Sequence, residues 1–168
     1  LERRHTEVID GIRVTSLAET WCDFGELPRG VLTITDLVVL GDAVAARMDA
    51  QLPAECQPRA GDRRSRGIED MQAALLRRVR PRGKRALVHA LTLMRPRVRS
   101  AMETRARLIF VLAGFPEPEV NAPVVDRAGE WLRFDVQIAV DGDARVENDL
   151  VSGDVRGDLV LTGTLAAP

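Results

Sequence analysis

Both ends of one helix are marked between residues 100 and 116, and this feature constrains the fold more than any other. Ser100 and Glu103 have the spacing of a capping box, in which the serine oxygen accepts the Glu103 amide proton and the glutamate reaches back to the Ser100 amide. Gly114 is a residue with which helices commonly end, and Pro116 prevents continuation. The spacing therefore predicts a helix that ends before Gly114 and carries Glu103 on its first turn.

Strand-like runs fill the chain after this helix. They cover residues 119–126, 131–140, 144–151 and 157–165. Residues 126–129, with the sequence DRAG, are typical of a hairpin turn. The last third of the chain is therefore predicted to be a helix followed by a sheet.

A hairpin and short helices are predicted in the first half. Asp10 and Gly11 lie between alternating apolar and polar residues, which is a strong signal for a two-residue hairpin. Helical spacing and capping residues predict a helix capped by Ser16, one at 36–48 capped by Thr35, and two at 68–79 and 84–94, with a loop at 49–67. The predicted fold class is α/β of the α+β kind, with a helical domain at 1–96 and a helix-plus-sheet domain at 97–168.

Composition limits where such a chain can act. It contains no run of about 18 apolar residues, so no membrane span is predicted, and no signal peptide is visible. Cys22 and Cys56 are far apart and lack metal-ligand spacing, which favours free thiols in a reducing cytoplasm. The chain begins at Leu1 within a strand-like run, and we expect it to be part of a longer product.

Charge is unevenly distributed although the net charge is only −1. Residues 57–107 hold 15 Lys and Arg against 4 Asp and Glu, a balance of +11, whereas residues 131–168 hold 3 Arg against 7 acids, a balance of −4. Guanidinium groups bind phosphates in a bidentate manner, so the basic half can bind a nucleic-acid backbone. A genome that prefers Arg codons explains the same composition, and both interpretations stay open.

Three acids after the helix form a candidate metal site. Asp135 lies in one predicted strand and Glu147 in the next, and Asp149 shares a face with Glu147 because residues two apart on a strand do so. The two strands are predicted to be neighbours joined by a short hairpin, so the carboxylates can point to the same side of the sheet and bind Mg²⁺ or Mn²⁺. The alternative is that these charges only protect an edge strand from aggregation.

Four stretches of the sequence resemble one actinobacterial family: VTSLAETWCDFGE, DLVVLGDAV, RPRGKRALVHAL and SAMETRARLIFVLAGFPEPEVNAPV. The first part of that family is similar to abortive-infection type IV antitoxins (AbiEi-like). Its last part is similar to very-short-patch-repair endonuclease domains of the PD-(D/E)XK class. The resemblance is most specific around residues 100–123.

The resemblance implies a role for each acid. The family's helix Glu, strand Asp and third-element Glu fall on Glu103, Asp135 and Glu147. Asp135, Glu147 and Asp149 would then hold Mg²⁺ or Mn²⁺, and Glu103 would assist metal-dependent hydrolysis of DNA phosphodiesters. Leu150 stands where the family has Gly, and the sequence after Asp149 does not resemble the family. We therefore expect a truncated endonuclease-like domain with weak or no cleavage. The alternative for Glu103 is that it only caps its helix.

The resemblance also suggests partners. DNA is expected first, and Arg97, Arg99, Arg105 and Arg107 flank Glu103 in the sequence, which makes them candidates for phosphate contacts. The cations between residues 77 and 85 are expected to be solvated surface. Antitoxins of this type bind operator DNA and regulate a neighbouring toxin. One alternative to an endonuclease is therefore a non-enzymatic regulatory module, with a cognate toxin or a second copy of the chain as partner. Another alternative is a product of gene decay.

Overall fold

The chain divides into two compact units, Leu1–Arg105 and Ala106–Pro168. The structure is a computed structural model, and it describes residues 4–59, 61–120, 123–125, 131–133, 136–140, 144–148, 151–155 and 159–162, with side chains as far as residue 118. The first unit holds a hairpin and most of the helical structure. The boundary predicted between residues 96 and 97 stays a prediction.

A two-stranded hairpin opens the first unit. Strand β1 (Thr6–Ile9) pairs antiparallel with β2 (Ile12–Thr15), with Ile9 opposite Ile12. Asp10 and Gly11 form the turn, and both have left-handed φ angles, +49° and +80°. Such a turn matches the right-handed twist of the flanking strands, which confirms the predicted hairpin.

Five α-helices follow among the described residues: α1 (Leu17–Gly25), α2 (Ile34–Asp49), α3 (Arg66–Arg77), α4 (Lys84–Leu93) and α5 (Ala101–Leu112). The Ser16 oxygen accepts the amide of Glu19 at 3.4 Å, so the predicted cap of α1 is confirmed. The predicted cap of α2 is wrong. Thr33 takes that position in place of Thr35, because its oxygen accepts the Asp36 amide at 3.1 Å and the Asp36 carboxylate accepts the Thr33 amide at 3.0 Å.

The core of the first unit lies between α1, α2, α3 and α4. Trp21 is fully buried at its centre, and its indole nitrogen donates to the carbonyl oxygen of Leu37 at 3.0 Å. Other buried apolar side chains of these helices are Val38, Ala45, Ile68, Met71, Leu75, Leu87 and Ala90. The apolar faces of the four helices therefore meet one another.

A buried carboxylate ties α2 to the chain beyond α4. Asp42 is 1% exposed, and its Oδ1 accepts the Arg95 amide at 2.9 Å. Its Oδ2 accepts the Thr104 hydroxyl at 2.8 Å. Both carboxylate oxygens therefore have a donor, as a buried charge requires.

The second unit continues α5 and adds short strands. The helix ends as predicted, since Gly114 has a φ of +84° and the Phe115 amide donates to the Phe110 carbonyl at 3.0 Å. The strands are β3 (Glu119–Val120), β4 (Pro123–Val125), β5 (Trp131–Arg133), β6 (Val136–Val140), β7 (Ala144–Asn148), β8 (Val151–Val155) and β9 (Leu159–Thr162).

All described strand pairs of the second unit are antiparallel. Strand β6 lies between β3 and β9, β4 pairs with β5, and β7 pairs with β8. The predicted turn at residues 126–129 lies outside the described residues. Helices dominate a mixed α and β structure in the described part of the chain, which confirms the α+β class. No helix in that part has both the length and the apolar character needed to cross a membrane.

Candidate functional site

Glu103 caps its own helix. It lies on the first turn of α5 and is 3% exposed. Its amide donates to the Ser100 oxygen at 3.1 Å, as predicted, but its carboxylate Oε2 accepts the amide of Arg99 at 2.9 Å, one residue before the expected partner. The capping interpretation of Glu103 is therefore confirmed, whereas its role toward a metal stays a prediction.

The strands expected to carry the other acids are not hydrogen-bonded neighbours. Asp135 and Asp149 lie outside the described residues, and Glu147 lies in β7 opposite Ser152 of β8. Strand β6, which begins just after Asp135, has β3 on one side and β9 on the other. The predicted pairing of the β6 and β7 strands is therefore wrong, because β9 takes a side of β6 and β7 pairs with β8. The assignment of Asp135, Glu147 and Asp149 as metal ligands stays a prediction.

The four predicted phosphate contacts have different environments. Arg99 is exposed, and Arg97 is half-buried with a left-handed φ of +66°. Arg105 is at the surface, where it donates to Asp36 Oδ1 at 3.0 Å. Hydrogen bonds from the hydroxyl and amide of Thr33, together with the Arg105 charge, hold the pKa of Asp36 below its usual range.

Arg107 does not lie on a surface that DNA can contact. Its side chain is fully buried, and Nη1 donates to Glu117 Oε1 at 2.9 Å. Burial of this guanidinium does not fit the predicted phosphate contact, because a phosphate would have to replace a protein carboxylate inside the fold. Arg107 instead links α5 to the Pro-rich turn that follows it.

A cationic surface lies between α3 and α4. We call residues 80–85 the basic segment, and all four of its cations, Arg80, Arg82, Lys84 and Arg85, are exposed. The segment has no acid, and the first turn of α4 has none either. Because the amino end of a helix carries a partial positive charge, the start of α4 adds to the attraction that the side chains exert on an anion.

The residue two positions before the basic segment is buried, although it was predicted to be solvated. Arg78 is 6% exposed and reaches across to α1. Its Nη2 donates to Glu19 Oε2 and to the Glu19 carbonyl, both at 2.8 Å. Its Nη1 donates to Asp23 Oδ1 at 2.8 Å and also to Glu26 Oε1. One guanidinium thus holds three carboxylates of α1 and of its C-terminal cap.

A sequence signal for this cluster existed. Glu19, Asp23 and Glu26 are spaced i, i+4, i+7, so they form an acidic stripe along one side of α1 that also lies beside buried Trp21 and Cys22. An acidic stripe next to apolar positions needs a cationic partner when the helix packs. The sequence does not say which arginine supplies it, because that depends on how α3 packs against α1.

The cluster perturbs its titratable groups. Burial disfavours the charge of Glu19, but hydrogen bonds from Arg78 and Arg77 outweigh it and hold the pKa of Glu19 below its usual range. Burial likewise opposes the charge of Arg78, while hydrogen bonds to the three carboxylates raise its pKa. Burial raises the pKa of the neighbouring Cys22 thiol to about 11, so this cysteine stays protonated at neutral pH.

Two cavities of the first unit have linings with charges of both signs. One of about 510 Å³ lies among the hairpin, α1, α2 and α3, and its charged lining residues are of both signs: Glu7, Arg66, Asp70 and Arg77. Another of about 290 Å³ is bordered by Asp49, Arg97 and Arg99. Neither lining has the one-sided charge of the basic segment.

Comparison of the chain with protein-family models found no match, and no curated protein or solved structure is significantly similar to it. The chemistry of the described residues is therefore the basis for assigning a function.

Proposed function

We propose that this chain is a DNA-binding protein of the antitoxin-related type and that the basic segment supplies its main phosphate contacts. The observation that carries the proposal is the segment itself, with four exposed cations in six residues at the start of a helix. Arg97 and Arg99 are further cationic residues of the same unit. The place of action would be the cytoplasm, where bacterial DNA is located.

Phosphate contacts have a measurable signature. Each DNA phosphate that a protein cation neutralises releases condensed counterions, and log K falls with log salt by about 0.9 for each contact on duplex DNA. If all four cations of the basic segment contact phosphates, this segment alone contributes a slope of about −3.6. The slope therefore counts contacts, which a single affinity does not.

The test compares two variants that lose the same charge. In one, the cations of the basic segment become alanine: R80A/R82A/K84A/R85A. In the matched control, four exposed arginines elsewhere in the first unit become alanine: R13A/R29A/R47A/R59A. Binding of a labelled duplex is followed by fluorescence anisotropy between about 50 and 200 mM salt.

The segment variant is expected to bind much more weakly, and its slope of log K against log salt should be shallower by about 3.6. The control should keep most of the parent's affinity and most of its slope. Equal losses in the two variants would mean that binding follows net charge and not this surface. No binding by the parent chain would refute the proposal. A variant whose circular dichroism differs from that of the parent is excluded before binding is compared.

Metal-dependent cleavage of DNA is a second candidate. It is supported by the resemblance and by the buried carboxylate of Glu103, which stands on the first turn of α5 where the family's helix Glu would stand. The chemistry would need Asp135 and Glu147 to hold Mg²⁺ or Mn²⁺, which would activate water and stabilise the charge that develops on the phosphate. Glu103 would orient that water.

Nicking of supercoiled plasmid with Mn²⁺ tests this second candidate. The parent is compared with Asp135→Ala/Glu147→Ala and with Glu103→Gln, whose amide oxygen can still accept the Arg99 amide and keep the cap. Nicking by the parent alone supports catalysis by all three acids. Equal nicking in all three proteins would leave these acids without a catalytic role.

A toxin protein or a second copy of this chain is a further expected partner of an antitoxin-type protein. Light scattering measures directly whether two copies of the chain associate.

A further inference from the structure

We propose that Arg78 is a positioning residue, which holds the basic segment in the shape that binds DNA without contacting DNA itself. This inference rests on the proposed function. Its basis is that the chain is fixed to α1 and its C-terminal cap on both sides of Arg80 and Arg82, by Arg78 before them and by Gly83 after them.

The first anchor is the buried Arg78 cluster. The Arg78 guanidinium donates to Glu19, Asp23 and Glu26, and its side chain is only 4% exposed. It also donates to the backbone carbonyl of Glu19 at 2.8 Å. Since all of these bonds involve α1 or its cap, the chain cannot leave the end of α3 in another direction without breaking them.

The second anchor is the backbone approach of Gly83 to Gly25. A Cβ at Gly83 would overlap the carbonyl oxygen of Gly25, so only glycine fits there, and the φ of Gly83 is +65°. A Cβ at Gly25 would in turn overlap the side chain of Leu87. The start of α4 therefore lies directly on the end of α1.

The backbone between the anchors is constrained as well. Arg80 has a left-handed φ of +51°, which is uncommon for an arginine. Such a conformation persists when the surrounding structure imposes it. Exposed Arg80 and Arg82 lie between the two anchors, and exposed Lys84 and Arg85 follow in the first turn of α4. Most of the backbone entropy of the segment is therefore lost on folding and not on binding.

Positioning and contact have different signatures. Loss of a positioning residue weakens binding but leaves the number of phosphate contacts, and hence the salt slope, unchanged. Loss of a contacting residue lowers the slope by about 0.9. The variants are therefore Arg78→Lys, which keeps the charge but cannot form the bidentate fork, Gly83→Ala, which disturbs the second anchor without altering any charge, and Arg82→Ala as the contact control.

Two measurements are made on each variant: duplex binding against salt, and amide hydrogen exchange of residues 79–86 without DNA. Arg78→Lys and Gly83→Ala are each expected to bind about tenfold more weakly, as if the ordering of one residue had moved from folding to binding. Their slopes should equal that of the parent, and their segment amides should exchange faster. Arg82→Ala should show the reverse, with a lower slope and unchanged exchange.

Three results would overturn the inference. One is parental affinity in both anchor variants. The second is a slope lowered by about 0.9 in Arg78→Met, which removes the charge that Arg78→Lys keeps, because that loss would make Arg78 a phosphate contact. The third is faster exchange of the segment without any loss of affinity. Failure of the parent to bind DNA would refute the proposed function itself, and the exchange data would then show only whether the two anchors hold the segment.

Discussion

Removal of the Arg78 guanidinium is expected to be one of the most destabilising single changes in this protein. Arg78→Met keeps the stem of the side chain but leaves Glu19, which is 3% exposed, without its main charged partner. Arg77 still reaches Glu19 at 3.3 Å, but its side chain is 44% exposed. Asp23 and Glu26 are about a third exposed, so water can solvate their charges.

The magnitude follows from which carboxylate is stranded. Breaking a buried ion pair by removing one partner costs about 3–5 kcal/mol, because an uncompensated charge stays buried. The two partly exposed carboxylates add little. The expected loss is therefore about 3–5 kcal/mol from the Glu19–Arg78 pair, a large share of the roughly 5–15 kcal/mol that stabilises a typical domain.

A second substitution separates the stranded charge from lost packing. In Arg78→Met/Glu19→Leu the buried charge is absent, and replacement of a buried ion pair by apolar residues is often close to neutral. The double variant should therefore recover most of the loss. Arg77→Met is the matched control, and its exposed, single contact predicts a loss below about 1 kcal/mol.

Urea denaturation, followed by far-ultraviolet circular dichroism, measures the free energy of unfolding of the parent and the three variants. The m values are compared first, because free energies are comparable only when the m values agree. The reasoning is refuted if Arg78→Met lies within about 1 kcal/mol of the parent, the range of a surface pair. It is also refuted if the double variant is no more stable than Arg78→Met.

Three further predictions concern individual side chains. Thr104→Val leaves one oxygen of Asp42 without its donor, so it should cost about 1–3 kcal/mol in the same denaturation assay; no change would show that this bond is dispensable. A maleimide should modify exposed Cys56 at neutral pH but not Cys22, which is buried with a pKa of about 11, until the protein unfolds; equal labelling by mass spectrometry would contradict this. Glu19 has a folded-state pKa below the reference value of 4.5, so its contribution is present above about pH 4.5 and is lost as the pH falls through the lowered pKa. Glu19→Gln should therefore flatten the acid side of the stability profile, and an unchanged profile would argue against the ion pair.

Local signals in the sequence predicted local structure well. The turn at Asp10 and Gly11 and the cap at Ser16 depend on neighbours within a few residues, and both are confirmed. The cap of α2 was predictable too, since Thr33 has an acid three residues later and Thr35 does not. The correct cap of α2 therefore follows from a local rule.

Non-local contacts could not be predicted from these signals. Arg78 and Glu19 are 59 residues apart, and only the packing of α3 against α1 brings them together. Asp42 and Thr104 are 62 residues apart. An arginine in a basic stretch is usually solvated, so composition predicts an exposed Arg78, whereas the structure buries it.

Strand order was a further limit. Consecutive strands often pair, which predicts that the strands of Asp135 and Glu147 are neighbours. In the structure β6 pairs with β9, which comes three strands later. A hydrophobic pattern identifies strands but does not say which of them pair, so the acidic site depended on an assumption about topology.

The most direct test of the central proposal is a titration of ¹⁵N-labelled protein with a duplex, followed through backbone amide chemical shifts. DNA binding through the basic segment predicts the largest shifts at residues 79–86, with smaller shifts at Arg97 and Arg99. Large shifts elsewhere in the protein, with residues 79–86 unchanged, would contradict it.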